Sequence, residues 1–281
     1  MKRDVIRRKA LAPKSTTDDY ESRDGGVQSV DRALSIIETL AEDDEGYRLS
    51  DLAIRTGLST STVHRLLATL ESRRFVQFDR TESKWHVGAR SFTVGATFAR
   101  RRNFTAQAVP YLRKLRDLTR ETANLAVVDD EFIVVLTRME SREIMRSLTK
   151  VGGRVAMVAS GVGKAVLATY SDEDVSAIIR HHGMPRLTEK TITRPSDLFR
   201  ELERVRRQGY AVDDEEACMG LRCIAAVVYN DCSEPLAAIS VSGMTSRLTD
   251  DRLAALGQTV REVAAELTVA LGGVMPATKP D

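Results

Sequence analysis

The stretch that most constrains this chain lies at residues 49–75, where two short amphipathic patterns meet at a glycine. Leu49, Leu52 and Ala53 share one face of a short helix. Gly57 follows, where a left-handed residue ends a helix at little cost. Leu58 reads as a buried turn residue, and Ser59 or Thr60 then offers a side-chain oxygen to the free N–H groups of a second helix. In that helix Val63, Leu66, Leu67 and Leu70 recur at helical spacing and face inward. Left outside are Thr60, Ser61, Thr62, His64, Arg65, Thr69 and Arg73, with no carboxylate before Glu71. Two short helices joined by a glycine-containing turn predict a helix-turn-helix. A polar, non-acidic outer face suits insertion into a DNA major groove, where long acidic side chains would meet the phosphates. Local pattern by itself fits an ordinary helical hairpin equally well, since the same spacing marks any amphipathic helix.

The next residues favour the first reading. Phe75 to Phe78 forms a short strand, 79–83 a turn, and Lys84 to Val87 a second strand that Gly88 ends. A hairpin directly after the second helix is the wing of a winged helix, and its tip puts Arg80 and Lys84 in reach of backbone phosphates. Residues 60–104 hold nine Lys/Arg against three acids, a net +6 inside a chain of net +2. Positive charge is therefore concentrated where an electrostatic footprint for nucleic acid is needed.

Two runs, Val27-Gln28-Ser29-Val30-Asp31-Arg32-Ala33-Leu34 and Ser61-Thr62-Val63-His64-Arg65-Leu66-Leu67, resemble the N-terminal half of the IclR family of bacterial transcription regulators. The resemblance extends over residues 25–273. Four further motifs carry it: Ala159-Ser160-Gly161-Val162-Gly163-Lys164-Ala165, Gly209-Tyr210-Ala211-Val212-Asp213-Asp214-Glu215-Glu216, Cys223-Ile224-Ala225-Ala226, and Ala238-Ile239-Ser240-Val241-Ser242-Gly243. Each is weak alone; their order after a winged helix is highly specific.

The expected architecture is α+β. Residues 1–24 read as a disordered basic tail, 25–88 as a winged helix-turn-helix, 89–104 as a linker helix, 105–275 as an α+β effector domain and 276–281 as a tail. The first helix is expected over 29–42 on a stripe of Val30, Ala33, Leu34, Ile37, Leu40 and Ala41, and residues 47–49 as a small strand added to the wing. Over 89–104, Phe92, Val94, Ala96 and Phe98 make an apolar face that packs on its own domain or on the same helix of a second subunit. Arg100, Arg101 and Arg102 form a solvated face or a further phosphate contact. After residue 105 the texture turns to helices and strands. Helices are expected over 109–121 (with Pro110 in the first turn), 160–170, 172–181, 196–208 and 249–271. Strands are expected over 123–128, 132–137, 144–148, 210–212, 223–229 and 236–241. The resemblance implies a GAF-like sensing domain, dimerisation through the linker helix and a dimer of dimers.

No apolar run approaches ~20 residues, so no transmembrane helix is expected, and the polar N-terminus shows no secretory signal. Three cysteines, Cys218, Cys223 and Cys232, argue against a disulfide framework and fit a reducing cytoplasm. Their spacing lacks a C-x2-C pair, so neither zinc nor any other metal or cofactor is expected.

Gly161-Val162-Gly163-Lys164 is not a phosphate loop, which requires glycine at 158 and Ser/Thr at 165; Val158 and Ala165 stand there. What survives is a helix start whose free N–H groups can hold an anion, or a tight turn with no ligand. Asp213 to Glu216 reads as a solvated acidic turn, although Asp213 follows a strand and can point into a pocket. Ser240 and Ser242, two apart in a strand, share a face and suit a small polar ligand or bonds to backbone. Cys223 opens an apolar strand, where a thiol is ordinarily structural. An enzyme acting on small acids through Cys223 and Asp213 is the alternative function, and the lack of a nearby base argues against it.

The resemblance adds specific expectations. Members that sense glyoxylate or pyruvate use positions matching Asp213, Leu221, Cys223, Ser240 and Ser242, extending to Ile144, Ser147 and Val162, with Gly161 beside them. Hydroxyls, a thiol and backbone N–H groups donate to a small carboxylate, while Asp213 suits a hydrated carbonyl or a water. The chain departs from the family pattern at Arg222, Val227, Ala156 and Val158. The expected function is a DNA-binding regulator of carbon metabolism that holds a double-stranded operator through Ser59, Thr60, Ser61, Thr62, His64, Arg65, Thr69, Arg73, Arg80 and Lys84, and answers to a small 2-oxo acid, glyoxylate first.

Overall fold

The computed structural model describes residues 27–101, 104–130, 132–141 and 150–276, and the chain divides into two compact units, Met1–Phe98 and Ala99–Asp281. The tail at 1–24, Arg102, the strand expected at 144–148 with Ile144 and Ser147, and residues 277–281 lie outside the described residues.

In the first unit, helices α1 (Gln28–Ala41), α2 (Leu49–Thr56) and α3 (Thr60–Ser72) precede a hairpin of β1 (Val76–Asp79) and β2 (Lys84–Val87). Their core is Ile36, Leu40, Tyr47, Leu52, Val63, Leu67, Val76 and Trp85. A fully buried Leu or Val contributes about 1.5–3 kcal/mol, so the eight suffice to fix three short helices on one hairpin. The stripe expected on α1 is rotated. Ile36, Thr39 and Leu40 are buried, while Val30 and Leu34 are 52% and 51% exposed, because the face turned to Leu52 and Val63 is centred on Ile36 and Leu40. Gly57 ends α2 at φ 65°, the left-handed cap expected of it. The third wing strand expected at 47–49 reduces to a single bridge between Tyr47 and Trp85, because Leu49 already begins α2.

Helix α4 (Ala89–Arg101) follows the wing, with Phe92 78% and Val94 52% exposed. The side chains of 98–101 lie outside the description.

The second unit is a six-stranded antiparallel sheet with helices on both faces. It comprises α5 (Phe104–Thr119), β3 (Thr122–Asp129), β4 (Phe132–Met139), β5 (Arg154–Ala156), a single 3-10 turn at Met157–Ala159, α6 (Gly161–Leu167), α7 (Asp172–His182), α8 (Pro195–Gln208), β6 (Ala211–Asp214), β7 (Leu221–Tyr229), β8 (Pro235–Met244) and α9 (Asp250–Ala270). Strand order is β5-β4-β3-β8-β7-β6. Alternation along each strand splits the domain into two cores. One face (Ala123, Leu125, Val127, Ile224, Ala226, Ile239, Val241) packs with residues of α5 and α9. The other (Ala126, Ala211, Ala225, Val227, Ala238) packs with Met157, Val162, Val166, Leu198 and Leu202.

Pro110 stands inside α5, not in its first turn. A mid-helix proline removes one backbone hydrogen bond. Ala108, Leu112, Leu115 and Thr119 on the buried face hold the helix through it. Helix α6 ends at Leu167, short of the expected 170, and β5 was not foreseen because three residues carry little periodicity.

Candidate functional site

The first candidate surface is the outer face of α3. Ser59 is its N-cap: Oγ accepts from Thr62 N–H at 3.3 Å and stands 2.8 Å from Thr62 Oγ1 and 3.1 Å from Ser61 Oγ. The cap therefore gathers three hydroxyls at the start of the helix. Val63 and Leu67 are buried, whereas Ser59, Thr60, Ser61, His64, Arg65, Thr69 and Arg73 are exposed, and Thr62 is half-buried. Thr69 Oγ1 donates back to Arg65 O at 3.0 Å. The outer face sits free of its own core, with no carboxylate before Glu71.

The wing is tied together at its tip. Asp79 Oδ1 accepts from Thr81 N–H at 2.7 Å and Glu82 N–H at 3.2 Å. The Glu82 N–H, then that of Thr81, hold the Asp79 carboxyl below its ordinary pKa. Ser83 takes the left-handed conformation at φ 55° and closes the turn. Phe78 stacks on Trp85 at 4.9 Å. Arg80 projects into solvent, and half-buried Lys84 pairs with Glu82 at 3.1 Å.

The second candidate site belongs to the other unit and is built by strand register. Asp213 pairs with Cys223, Cys223 with Ser242, and Ser242 with Thr122, so one row crosses β6, β7, β8 and β3. Directly paired residues share a face. Two residues along, Ala225, Ser240 and Asn124 form the next row, and Leu221 stands two before Cys223. These polar groups occupy one end of the face that is otherwise apolar. Asn124 is buried, and its Nδ2 lies 3.3 Å from both Ser240 Oγ and Ser242 Oγ.

Helix α6 leans on this row. Ser160 caps it, accepting from Gly163 N–H at 3.0 Å. A Cβ at Gly161 would stand 3.0 Å from Cys223 O and 3.3 Å from Cys223 Sγ, so glycine permits the close approach. Val162, beside it, is buried. Lys164 is fully buried. Its ammonium pairs with Glu216, donates to Val212 O at 2.7 Å and lies 3.7 Å from Glu201 Oε1. Sequence reasoning missed this cluster. A lysine inside the apolar run Gly161-Val162-Gly163-Lys164-Ala165-Val166-Leu167 was the available signal.

The acidic turn is therefore not solvated at both of its ends: Asp213 and Glu216 are each 5% exposed. Asp213 Oδ1 accepts from Glu216 N–H at 2.7 Å and Ala217 N–H at 3.3 Å. Burial, opposed by the Glu216 N–H and reinforced by the Glu216 charge, raises Asp213 to about 6. Among the described residues no group of three His, Cys, Asp or Glu could hold a metal ion.

Burial, with the Asp213 charge, pushes the Cys223 thiol up to about 11. It stays protonated near neutral pH, and the nucleophilic form of cysteine is the thiolate. Arg222 turns to the opposite face, where it bridges Asp214 at 2.5 Å, Leu248 O at 2.6 Å and Asp250 at 2.5 Å. It fastens the edge of the sheet to the start of α9.

Of the residues expected to bind ligand, Asp213, Leu221, Cys223, Ser240 and Ser242 come together on one face, with Gly161 against Cys223. Asn124 joins them unforeseen, although Thr122 and Asn124 repeat the i, i+2 polar spacing of Ser240 and Ser242.

Comparison with known proteins agrees with both geometries. Residues 96–269 match the family described as Bacterial transcriptional regulator IclR C-terminal, and residues 29–80 match IclR helix-turn-helix domain. The chain is 41% identical over 251 residues to the Acetate operon repressor of Salmonella typhimurium, covering 89% of this chain and 92% of that one. It is 40% identical over 252 residues to Transcriptional repressor IclR of Escherichia coli, with coverage of 89% and 92%. An IclR transcriptional regulator from Alicyclobacillus acidocaldarius matches in structure with TM-score 0.74 at 25% identity, covering 88% of this chain and all of that one. These proteins are regulators, not enzymes, and no helix among the described residues is long and apolar enough to cross a membrane. A helix-turn-helix with its polar face outward, followed by an α+β domain with a polar row inside it, thus places the chain in the IclR family of ligand-responsive, DNA-binding transcription regulators.

Proposed function

We propose that this protein is a repressor of carbon-metabolism genes whose hold on a two-fold operator is set by a small 2-oxo acid, glyoxylate first. The DNA surface is Ser59, Thr60, Ser61, Thr62, His64, Arg65, Thr69 and Arg73 on α3, with Arg80 and Lys84 on the wing. Exposure of this hydroxyl- and arginine-rich face supports it. Similarity to the Escherichia coli and Salmonella repressors supports repression, and the name of the Salmonella relative supports an operon of acetate metabolism. A two-fold operator calls for a symmetric reader, so the protein acts as a homo-oligomer; the dimer of dimers comes from the family resemblance alone. The exposure of Phe92 and Val94 on α4 supports a contact between subunits through the linker expected at residues 89–104.

The effector site comprises Asp213, Leu221, Cys223, Ser240, Ser242, Gly161 and Val162, with Ile144 and Ser147 added from the family resemblance. The observation that carries this reading is the row Asp213–Cys223–Ser242. With Ser240 beside it, this row sets polar side chains at one end of an otherwise apolar face. Adjacent strands are about 4.8 Å apart, so the Cα atoms of Asp213 and Ser242 are separated by roughly 10 Å. Two side chains and a two- or three-carbon acid fill that span together. Hydroxyl and thiol hydrogens meet the carboxylate, and Asp213 accepts from the hydrated carbonyl.

A thermal-shift screen of the full chain against C2–C4 oxo and hydroxy acids tests this, since a ligand of the native state raises Tm by mass action. Glyoxylate is expected to raise Tm in the wild type and not in Ser242→Ala. A screen in which no 2-oxo acid moves the wild type would reject the site.

A further inference from the structure

Ser240 and Ser242 each carry one hydroxyl hydrogen and two acceptor lone pairs. Which of these faces a ligand depends on what the other side of each oxygen is doing. Asn124, on the neighbouring strand β3, decides it. Its Nδ2 holds two hydrogens and lies 3.3 Å from each serine oxygen. A hydroxyl that accepts from Asn124 keeps its own hydrogen to give; both hydroxyls reach the Cys223 sulfur, and a ligand oxygen, the stronger acceptor, competes for the same hydrogens. Cys223, one strand beyond Ser242 in the same row, adds an S–H that stays on sulfur. The far side of the row has the opposite character. Asp213 is a carboxylate fastened by two N–H groups at Oδ1. The ammonium of Lys164 is taken by Glu216 and Val212 O.

We infer that Asn124 is a positioning residue that fixes Ser240 and Ser242 as paired hydrogen-bond donors, so that the β8 side of the polar row selects a carboxylate over an alcohol. This rests on the row being the effector site. It also accounts for how an anion can be recognised where the nearby lysine is already bound to carboxylates: charge-assisted hydrogen bonds from preoriented neutral donors do the work. Turned the other way, with Asn124 accepting, the same two serines would present lone pairs and repel the same ligand.

The test is calorimetry on the full chain with two ligands of one skeleton, glyoxylate and glycolaldehyde, which differ in a carboxylate against a primary alcohol. Wild type is expected to prefer glyoxylate. Asn124→Leu, nearly isosteric and unable to donate, is expected to lose roughly tenfold in glyoxylate affinity and little in glycolaldehyde affinity. A general loosening of the fold would weaken both alike. In a Ser240→Ala background, where one of the two hydroxyls it acts through is gone, Asn124→Leu should cost less than it does in wild type. Asn124→Thr, which suits a strand and offers one donor in place of two, is the second variant and should lose less than Asn124→Leu. Either folded variant retaining the wild-type preference, or a loss undiminished in the Ser240→Ala background, would overturn the role of Asn124. Failure of wild type to bind any small acid would instead remove the effector site, and this inference with it.

Discussion

The two polar surfaces of this protein are opposite in kind. On α3, hydroxyls and arginines lie outside because the apolar residues of the same helix took the inside. Among the described residues they are held by the cap at Ser59 and by bonds back to the helix from Thr69 and Ser72. In the second unit the polar groups are inside, among aliphatic side chains, and nearly every one is engaged: Asn124 with two serines, Asp213 with two amides, Lys164 with Glu216 and Val212 O. An exposed polar face costs the fold nothing and is free to meet phosphate and base edges. A buried one must be satisfied by partners, so each substitution there is felt first in stability. The comparison separates a polar surface open to water from a polar row whose groups are already engaged inside the fold.

That contrast can be broken at several points. The largest effect belongs to Lys164→Met, which leaves Glu216 buried without its cation and Glu201 with Arg204 alone. Removing one partner of a buried pair costs about 3–5 kcal/mol, and urea unfolding should show it as a lowered midpoint for the second unit. A loss under about 1 kcal/mol would mean that the cluster is hydrated and the recess is not dry.

Next is Asp213. Its folded-state pKa of about 6 lies above the ordinary 3.8. The native state therefore holds a proton that the unfolded chain has released, and stability contributed by this group falls as pH rises from about 4 to about 6. Above that window the ionised carboxylate remains as a penalty of roughly 3 kcal/mol. Asp213→Asn should remove this dependence. The difference in unfolding free energy between variant and wild type then grows from pH 4 to pH 6 and levels off. Parallel curves for the two proteins would show that Asp213 is not desolvated.

On the exposed face the changes leave stability nearly alone and appear in DNA binding. Arg65→Ala and Thr62→Ala should each weaken operator affinity by ~1–3 kcal/mol if they touch base edges, with Tm close to wild type. Unchanged affinity for both in gel-shift titration would take α3 out of the groove. The smallest effect is that of Arg80→Ala on the wing: a uniform weakening on all sequences, with the salt slope reduced by about 1. A sequence-dependent loss would move Arg80 from phosphate to base contact.

The same contrast governs what could be read from the residues alone. The winged unit was almost wholly legible, because a helix announces its buried face by spacing and leaves its functional face by subtraction. Gly57, Ser59 and the hairpin at 76–87 all fall where the sequence placed them. The exception is α1, where Val30 and Leu34 look like core and lie outside. In the second unit five of the six described strands and most helices were legible, β5 being the strand missed, and the placing of Ser240 and Ser242 on one face followed from alternation. Register was not. That Asp213, Cys223, Ser242 and Thr122 form one row depends on how three consecutive strands and the distant β3 align, and no pattern within one strand carries it. Lys164 and Glu216 fail for the same reason. Each looks like a solvent-facing charge until the other, 52 residues away, is placed against it.

The central claim is that the buried row decides what the exposed face does. It is tested by fluorescence anisotropy of a duplex selected by the protein from a random pool, titrated with wild type and with Ser242→Ala, in the presence and absence of glyoxylate. The account predicts equal DNA affinity for the two proteins without the acid, and a shift of ~5–150-fold with it in wild type alone. An equal response in both proteins, or none in wild type, would contradict it.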